Sequence, residues 1–376
     1  MGRGASEMSS ERQVANLERE KINVSRQPEL DVAKVFAIFF MIIIHVADNM
    51  GTITGTQGTV PILLDFIGGP LAAPVFMFAM GVGMVYTKHS TPGDFAKRGV
   101  HLLIAAYVLN FFRETILIII AHVFSIETAY DKSLIDTIGT VDILHFAGMA
   151  FLIAALFKKL KADPKRVLAA ALIMQAVGSL TIGMFDGLPK AMQYLLGLLF
   201  FTNNYVAFPT LLWFIYPAAG IVFGSLLQRV TDKDEFYRKV TVTGLISFAA
   251  VTMGTVATNT NLLSYFMNTG YYKQNLFSCM WILSVVFIFM GLYHAVSKHI
   301  TGKAAAWVKM TSVQVNTIYI IQWLLITYVI GVRELASAGY VSDAWIVPTG
   351  IIMAVISILL ARVYTNISDR VRRKCA

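Results

Sequence analysis

The sequence predicts an all-α integral membrane protein of about ten transmembrane helices with both termini cytoplasmic. Three observations carry that prediction. Of 376 residues, 56% are hydrophobic and only 14% are charged, whereas a soluble domain carries about a quarter charged residues. The polar surface is too small for a water-facing globule, and soluble, disordered and collagen-like classes are excluded together. The apolar residues fall in long blocks with no heptad pattern, each near the roughly 20 residues that cross a bilayer. The 31 Lys and Arg residues, which give a formal net charge of +9, then alternate between one side and the other of those blocks.

Residues 1–30 form a mixed-charge cytoplasmic leader with Arg12, Glu18, Arg19, Glu20 and Lys21, read as a short helix or a tail. The block at 31–50 follows. It is too long and too rich in Phe and Ile for a cleavable signal peptide. Further blocks lie at 69–88, 97–123, 141–160, 165–184, 206–229, 238–258, 275–297, 306–331 and 344–367. They make one transmembrane domain over 31–368, closed by a basic cytoplasmic tail at 369–376. No internal repeat is present, which weakens an inverted-repeat transporter.

The basic residues test the count. Six lie in the N-terminal end through Lys34, and Lys88, Lys97 and Arg98 follow the second block. Lys158, Lys159, Lys161, Lys165 and Arg166 follow the fourth, and Arg229, Lys233, Arg238 and Lys239 the sixth. Lys298, Lys303 and Lys309 follow the eighth, and Arg362, Arg370, Arg372, Arg373 and Lys374 the last. The opposite side holds only Lys132, Lys190, Lys273 and Arg333, with Arg113 inside a block. This is the asymmetry that the positive-inside rule demands. It also excludes nucleic acid as a partner, because the charge is spread over four turns and two tails rather than gathered in one patch. Externally, 124–140 and 186–205, with Tyr130, Asp131, Asp136, Asp186, Asn203, Asn204 and Tyr205, are long enough for interfacial helices or a rim over a cavity.

Ionisable groups inside spans are costly and are the first candidates for chemistry. His45 lies 14 residues after Asp31, roughly 16–20 Å into the bilayer at 1.5 Å per residue. It is a general base, a nucleophile or a metal ligand, or else a core histidine bonded to a neighbouring carbonyl. Lys97, Arg98 and His101 stand at the inner mouth of the third span, where a guanidinium suits phosphates or simply sets topology. Arg113 and Glu114 adjoin in sequence, do not share an α-helical face, and are expected to find partners on different helices. Asp142 and His145, three apart and on one face, read as an acid–base pair or as an interhelical hydrogen bond. Asn316, Tyr319 and Gln322 form one polar stripe that lines a cavity or joins helices.

Other motifs are absent or bland. The seven histidines are scattered and no two cysteines are paired, so no metal site is expected. Gly81, Gly83, Gly220 and Gly224 lie within apolar helices and read as close-packing positions rather than nucleotide loops. The N-x-[ST] patterns at Asn23 and Asn366 fall on the cytoplasmic side and are chance matches. Cys279 and Cys375 make no disulfide framework.

The stretch from Glu29, Leu30, Asp31 and Lys34 to His45 resembles the opening signature of the acyltransferase-3 family. There an Arg takes the place of Lys34 and a His follows fourteen residues after the Asp. Pro74 through Gly81 is similar to that superfamily's second-helix motif, and Phe95 through His101 to the basic start of its third helix. Asp142 through Gly148 and Phe208 through Pro217 resemble segments of bacterial heparan-α-glucosaminide N-acetyltransferase-like proteins. Ile318 through Trp323 is similar to a run in which a His commonly stands at Gln322.

That resemblance implies a multi-pass plasma-membrane enzyme that moves an acetyl group from cytoplasmic acetyl-CoA, or another acyl-CoA, to a hydroxyl or amine outside. The acceptor is expected to be a sugar or glycan, with no metal required and a homodimer left open. The CoA phosphates would meet Lys34, Lys97, Arg98 and His101, and the thioester would meet His45. Asp142 and His145 would act on the acceptor side. Arg113, Glu114, Trp213, Tyr216, Asn316, Tyr319 and Gln322 are candidates for the substrate or oxyanion contacts. The rival reading is a transporter or exporter, with a sensor or scaffold behind it. Acceptor identity, O- against N-acylation, acyl length and the route through acyl-His or direct transfer stay open.

Overall fold

The structure, a computed structural model, describes residues 21–51, 59–125, 132–257, 269–336 and 339–375. The expectations at Arg12, Glu18, Arg19, Glu20, Tyr130 and Asp131 lie outside those residues. Every element among the described residues is helical, apart from two isolated bridges, Gly51 with Val341 and Val141 with Val206.

Helix α1 (Pro28–Met50) starts on a proline, with Glu29 and Asp31 in its first turn, as fits the positive end of a helix dipole. Helices α2 (Thr59–Leu71) and α3 (Ala73–Tyr86) follow. The third span is composite, with α4 (Pro92–Asn110), a π-helical stretch Phe111–Thr115 and α5 (Ile116–Val123). It begins five residues before the sequence pattern does, because Thr91 and Asp94 close a capping box around Pro92. After the short α6 (Leu134–Gly139) come α7 (Ile143–Lys159), α8 (Pro164–Leu180) and α9 (Lys190–Gly197). The chain continues as α10 (Thr210–Trp213), α11 (Ile215–Leu227), α12 (Lys233–Ala257) and α13 (Leu276–Ser297), and ends as α14 (Gly302–Val313), α15 (Val315–Leu335) and α16 (Asp343–Cys375).

Among the described residues, eight helical segments are long and apolar enough to cross a membrane, namely α1, Gly68–Tyr86, Pro92–Val123, Thr210–Leu227, α12, α13, α15 and Asp343–Arg373. Helices α7 and α8 stand where the fourth and fifth spans are expected, but each is 17 residues long, a rise of about 25 Å against a hydrocarbon core of about 30 Å. The ninth span is also corrected. It does not start at 306, because the chain leaves helical geometry at Gln314, which separates α14 with its Lys303 and Lys309 from the apolar α15.

Among the described residues two large apolar cores hold the bundle, with a small third cluster at Val141, Tyr194 and Val206. One gathers Phe78, Trp213, Tyr216, Phe223, Tyr237 and Met290, and the other gathers Ile42, Leu144, Phe151, Ile318, Tyr319 and Ile358. Helix α1 serves both, giving Leu30, Ala33 and Ala37 to the first and Ile38, Met41 and Ile42 to the second. Helix α4 packs along α7, α3 along α11, α12 along α13, and α16 on α1. The approach of α3 to α11 needs glycine. A Cβ on Gly81 would lie 2.0 Å from the Pro217 carbonyl oxygen, and one on Gly220 would lie 2.1 Å from that of Phe78. Gly81 and Gly220 are packing positions, as read from the sequence, but Gly83 is not, since a Cβ there would meet nothing within 4 Å.

Helices α6 and α9 lie in the two long segments expected on the external side. The buried Asp136 accepts from Tyr194 Oη at 2.6 Å and pairs with Lys190 Nζ at 2.6 Å. Burial opposes ionisation of Asp136, but the bonds from Lys190, Ser133 and Tyr194 outweigh it and hold the carboxyl well below the usual range.

Candidate functional site

A cavity of about 690 Å³ opens among α1, α3, α4, α7 and the α14–α15 junction. Its lining includes Arg26, Asp31, Lys34, Lys88 and Arg98, then Met41, Asn316 and Tyr319. A second cavity of about 530 Å³ is lined by His89, Lys97 and His101, and shares Arg98 and Asn316 with the first. The basic residues expected at the inner mouth are therefore brought together around two adjoining spaces, with the Arg98 guanidinium over the Phe151 ring at 4.5 Å. Arg26 was not singled out from the sequence. It reaches Asp31 through two bonds of 2.6 and 2.7 Å and donates to Ser312 Oγ at 2.8 Å. Its position five residues before Asp31, in a leader read only as topology, gave no separate signal.

The polar stripe of α15 leads inward from the cavity. Asn316 and Tyr319 line it, and one turn further Gln322, fully buried, places Oε1 at 3.1 Å from His45 Nδ1. Among the described residues no hydrogen bond is made to His45 Nε2. Trp323, the residue after Gln322, lies against the imidazole with ring centroids 4.2 Å apart, and Arg113 Cζ sits 4.4 Å from the same indole. Met41, one turn before His45 on α1, lines the cavity. The cavity thus runs from the cationic mouth to Met41 and stops one turn short of His45, which does not line it and stands about 16 Å from Lys34 along the helix at 1.5 Å per residue.

Arg113 and Glu114 stand in the π-helical stretch and find partners on different elements, as expected, while also contacting each other. Within it the neighbouring pair lies 3.2 Å apart, Nε to Oε1, an ion contact between consecutive residues. Arg113 also reaches Asp142 Oδ2 at 3.1 Å, and Glu114 is paired with Lys132 at 2.8 Å. The result is a row of alternating charge, Lys132, Glu114, Arg113 and Asp142. The last carboxylate also accepts from Tyr319 Oη, which ties the row to the α15 stripe.

Asp142 and His145 are adjacent, but not as a carboxylate–imidazole pair. Asp142 is the N-cap of α7, and its Oδ1 accepts the Ile143 N–H at 2.7 Å. His145 Nδ1 instead accepts the backbone N–H of Asp142 at 3.2 Å, closing the capping box. Its Nε2 is buried without a partner among the described residues, and the ring stands edge-on to Tyr107 at 4.6 Å. A side chain at the third position of a helix bonds back to the cap before it bonds to the cap's own side chain.

Trp213 and Tyr216 are not part of this assembly. Both are fully buried in the first core, where Tyr216 Oη donates to Gln274 Oε1, so neither offers a face to a sugar ring. Among the described residues no group of three or more His, Cys, Asp or Glu is placed to hold a metal ion. Trp323 is the residue whose place beside His45 the sequence concealed, since it stands in an apolar run and only the helix register aims it.

The family model described as heparan-alpha-glucosaminide N-acetyltransferase, catalytic, matches residues 26–268, about two thirds of the chain. No curated protein matches the sequence.

Proposed function

The chain belongs to the heparan-alpha-glucosaminide N-acetyltransferase catalytic family, and on that premise we propose that it transfers an acetyl group from cytoplasmic acetyl-CoA to a hydroxyl or amine of an extracytoplasmic carbohydrate. The carrying observation is the continuity of one cavity from Arg26, Lys34, Lys88 and Arg98 to Met41 and Tyr319, which lie one helical turn short of His45 and of its partner Gln322. Lysine and arginine make charge-assisted contacts with phosphate oxygens, so the donor's phosphates lie at the mouth. Lys97 and His101 serve them from the adjoining space. The pantetheine arm follows α1 inward and sets the thioester near His45. The imidazole there takes the acceptor's proton or carries the acetyl group itself. Either role needs an unprotonated ring nitrogen.

Lysine distribution supports an orientation with both termini in the cytoplasm and ten crossings. Were α7 and α8 not to cross, Lys158, Lys159, Lys161, Lys165 and Arg166 would lie on the side that is otherwise poor in positive charge. The acceptor approaches from the opposite side, under the rim of α6 and α9. There Asp142 holds Arg113 and Tyr319 in place, and His145 Nε2 is a spare polar atom. The family membership favours this reading over an exporter.

His45→Ala is expected to abolish acetyl transfer while acetyl-CoA still stabilises the purified protein against heat, by about 2.7 kcal/mol at a hundred times its Kd. Turnover at the parent rate in that variant refutes the role of His45. Absence of any thermal shift in the parent protein refutes acetyl-CoA as donor.

A further inference from the structure

We propose that Gln322 is a positioning residue that fixes His45 as the Nδ1–H tautomer, so that Nε2 carries the lone pair used in acyl transfer; this rests on the role given to His45 above. The side-chain amide oxygen of Gln322 is 3.1 Å from His45 Nδ1. A carboxamide oxygen only accepts hydrogen bonds, so in this arrangement Nδ1 holds the proton. Gln322 is itself fully buried on α15, and a buried amide has no bulk water with which to exchange partners. Trp323 closes one side of the imidazole at 4.2 Å between centroids, which restricts the ring to one setting. His45 Nε2 has no hydrogen bond among the described residues and is the nitrogen left for the reaction.

The reverse amide orientation would point Nε2 of Gln322 at the imidazole, place the proton on His45 Nε2, and remove the lone pair from that nitrogen. Both orientations leave one amide atom of Gln322 without a partner, Nε2 in the arrangement observed, so hydrogen-bond satisfaction does not choose between them. The chemistry does, because a base or nucleophile with a proton on its free nitrogen has nothing to give. In the transfer, His45 Nε2 accepts the proton of the attacking hydroxyl or amine while Nδ1–H stays on Gln322 Oε1. The new acyl bond forms as the carbon–sulfur bond breaks, and the CoA thiolate leaves with the proton that His45 returns. The Gln322 amide stabilises the imidazolium formed on the way, without gaining or losing a proton.

Two measurements test this on the full chain in detergent or lipid. In protein labelled with 15N-histidine, the His45 ring signals are assigned by their loss in His45→Gln. A protonated Nδ1 and an unprotonated Nε2 are expected, and the opposite tautomer overturns the inference whatever the variants do. Gln322→Leu removes the acceptor at similar bulk, and kcat is expected to fall by about 100-fold or more, in the range that misplaced proton transfer costs, with KM for acetyl-CoA within about twofold of the parent. An unchanged kcat overturns the inference. Failure is separable from failure of the reaction assignment, because active His45→Ala refutes the role of His45, whereas inactive His45→Ala with fully active Gln322→Leu refutes only the role of Gln322.

Discussion

Removing the charge of Asp142 should unbalance a row that is otherwise neutral. Lys132, Glu114, Arg113 and Asp142 alternate in sign at contacts of 2.8, 3.2 and 3.1 Å, and the side chains of Arg113 and Glu114 are only 3% and 7% exposed. Asp142→Asn keeps the N-cap of α7, since Asn and Asp cap equally well, and so isolates the charge. Arg113 retains Glu114, which places the expected cost at the low end for a broken buried pair, about 3 kcal/mol. Arg113→Met strands Asp142 at a similar cost of about 3 kcal/mol. The double variant leaves Lys132 and Glu114 as a balanced pair, so it should cost about as much as either single change, a coupling of about 2–3 kcal/mol. Unfolding by a denaturing detergent in mixed micelles, followed by tryptophan fluorescence, measures this directly, with Trp323 4.4 Å from the Arg113 guanidinium as a local reporter. A double variant that costs the sum, about 6 kcal/mol, would show that the four groups do not act as one unit.

Arg98→Ala should raise KM for acetyl-CoA about tenfold or more and leave kcat within about twofold, the pattern for a lost contact to the unreacting part of a substrate; steady-state kinetics with an unchanged KM would move the phosphates elsewhere. Asp136 contributes stability above the unfolded carboxyl range and loses it as pH falls, because its folded-state pKa is depressed. Thermal unfolding should therefore show a loss on acidification below about pH 4, and Asp136→Asn should flatten that slope.

The parts of this molecule that depend on composition along one helix were legible in the sequence. Blocks of apolar residues and the sorting of Lys and Arg located most of the spans, and the 14-residue step from Asp31 put His45 inside the first. Asn316, Tyr319 and Gln322 could be placed on one face from their spacing alone. What failed to show was geometry that a local break decides. The π-helical turn at Phe111–Thr115, which holds Arg113 and Glu114 in contact with each other, has no compositional mark. The capping box of α7 takes His145 away from the Asp142 carboxylate through a backbone bond that side-chain spacing does not encode. Trp213 and Tyr216 looked suited to a sugar because aromatic residues suit many tasks, and only packing shows them sealed in a core.

The segment by which the family is recognised ends at residue 268, but Tyr319, Gln322 and Trp323, which surround His45 and Asp142, stand on α15 beyond it. His45, the proposed reactive group, therefore lies inside the matched segment, while the residues that contact it from α15 lie outside that segment. A substitution at Gln322 or Trp323 changes the surroundings of His45 without altering any residue between 26 and 268, so the setting of this histidine depends on a helix that the match to the family does not reach.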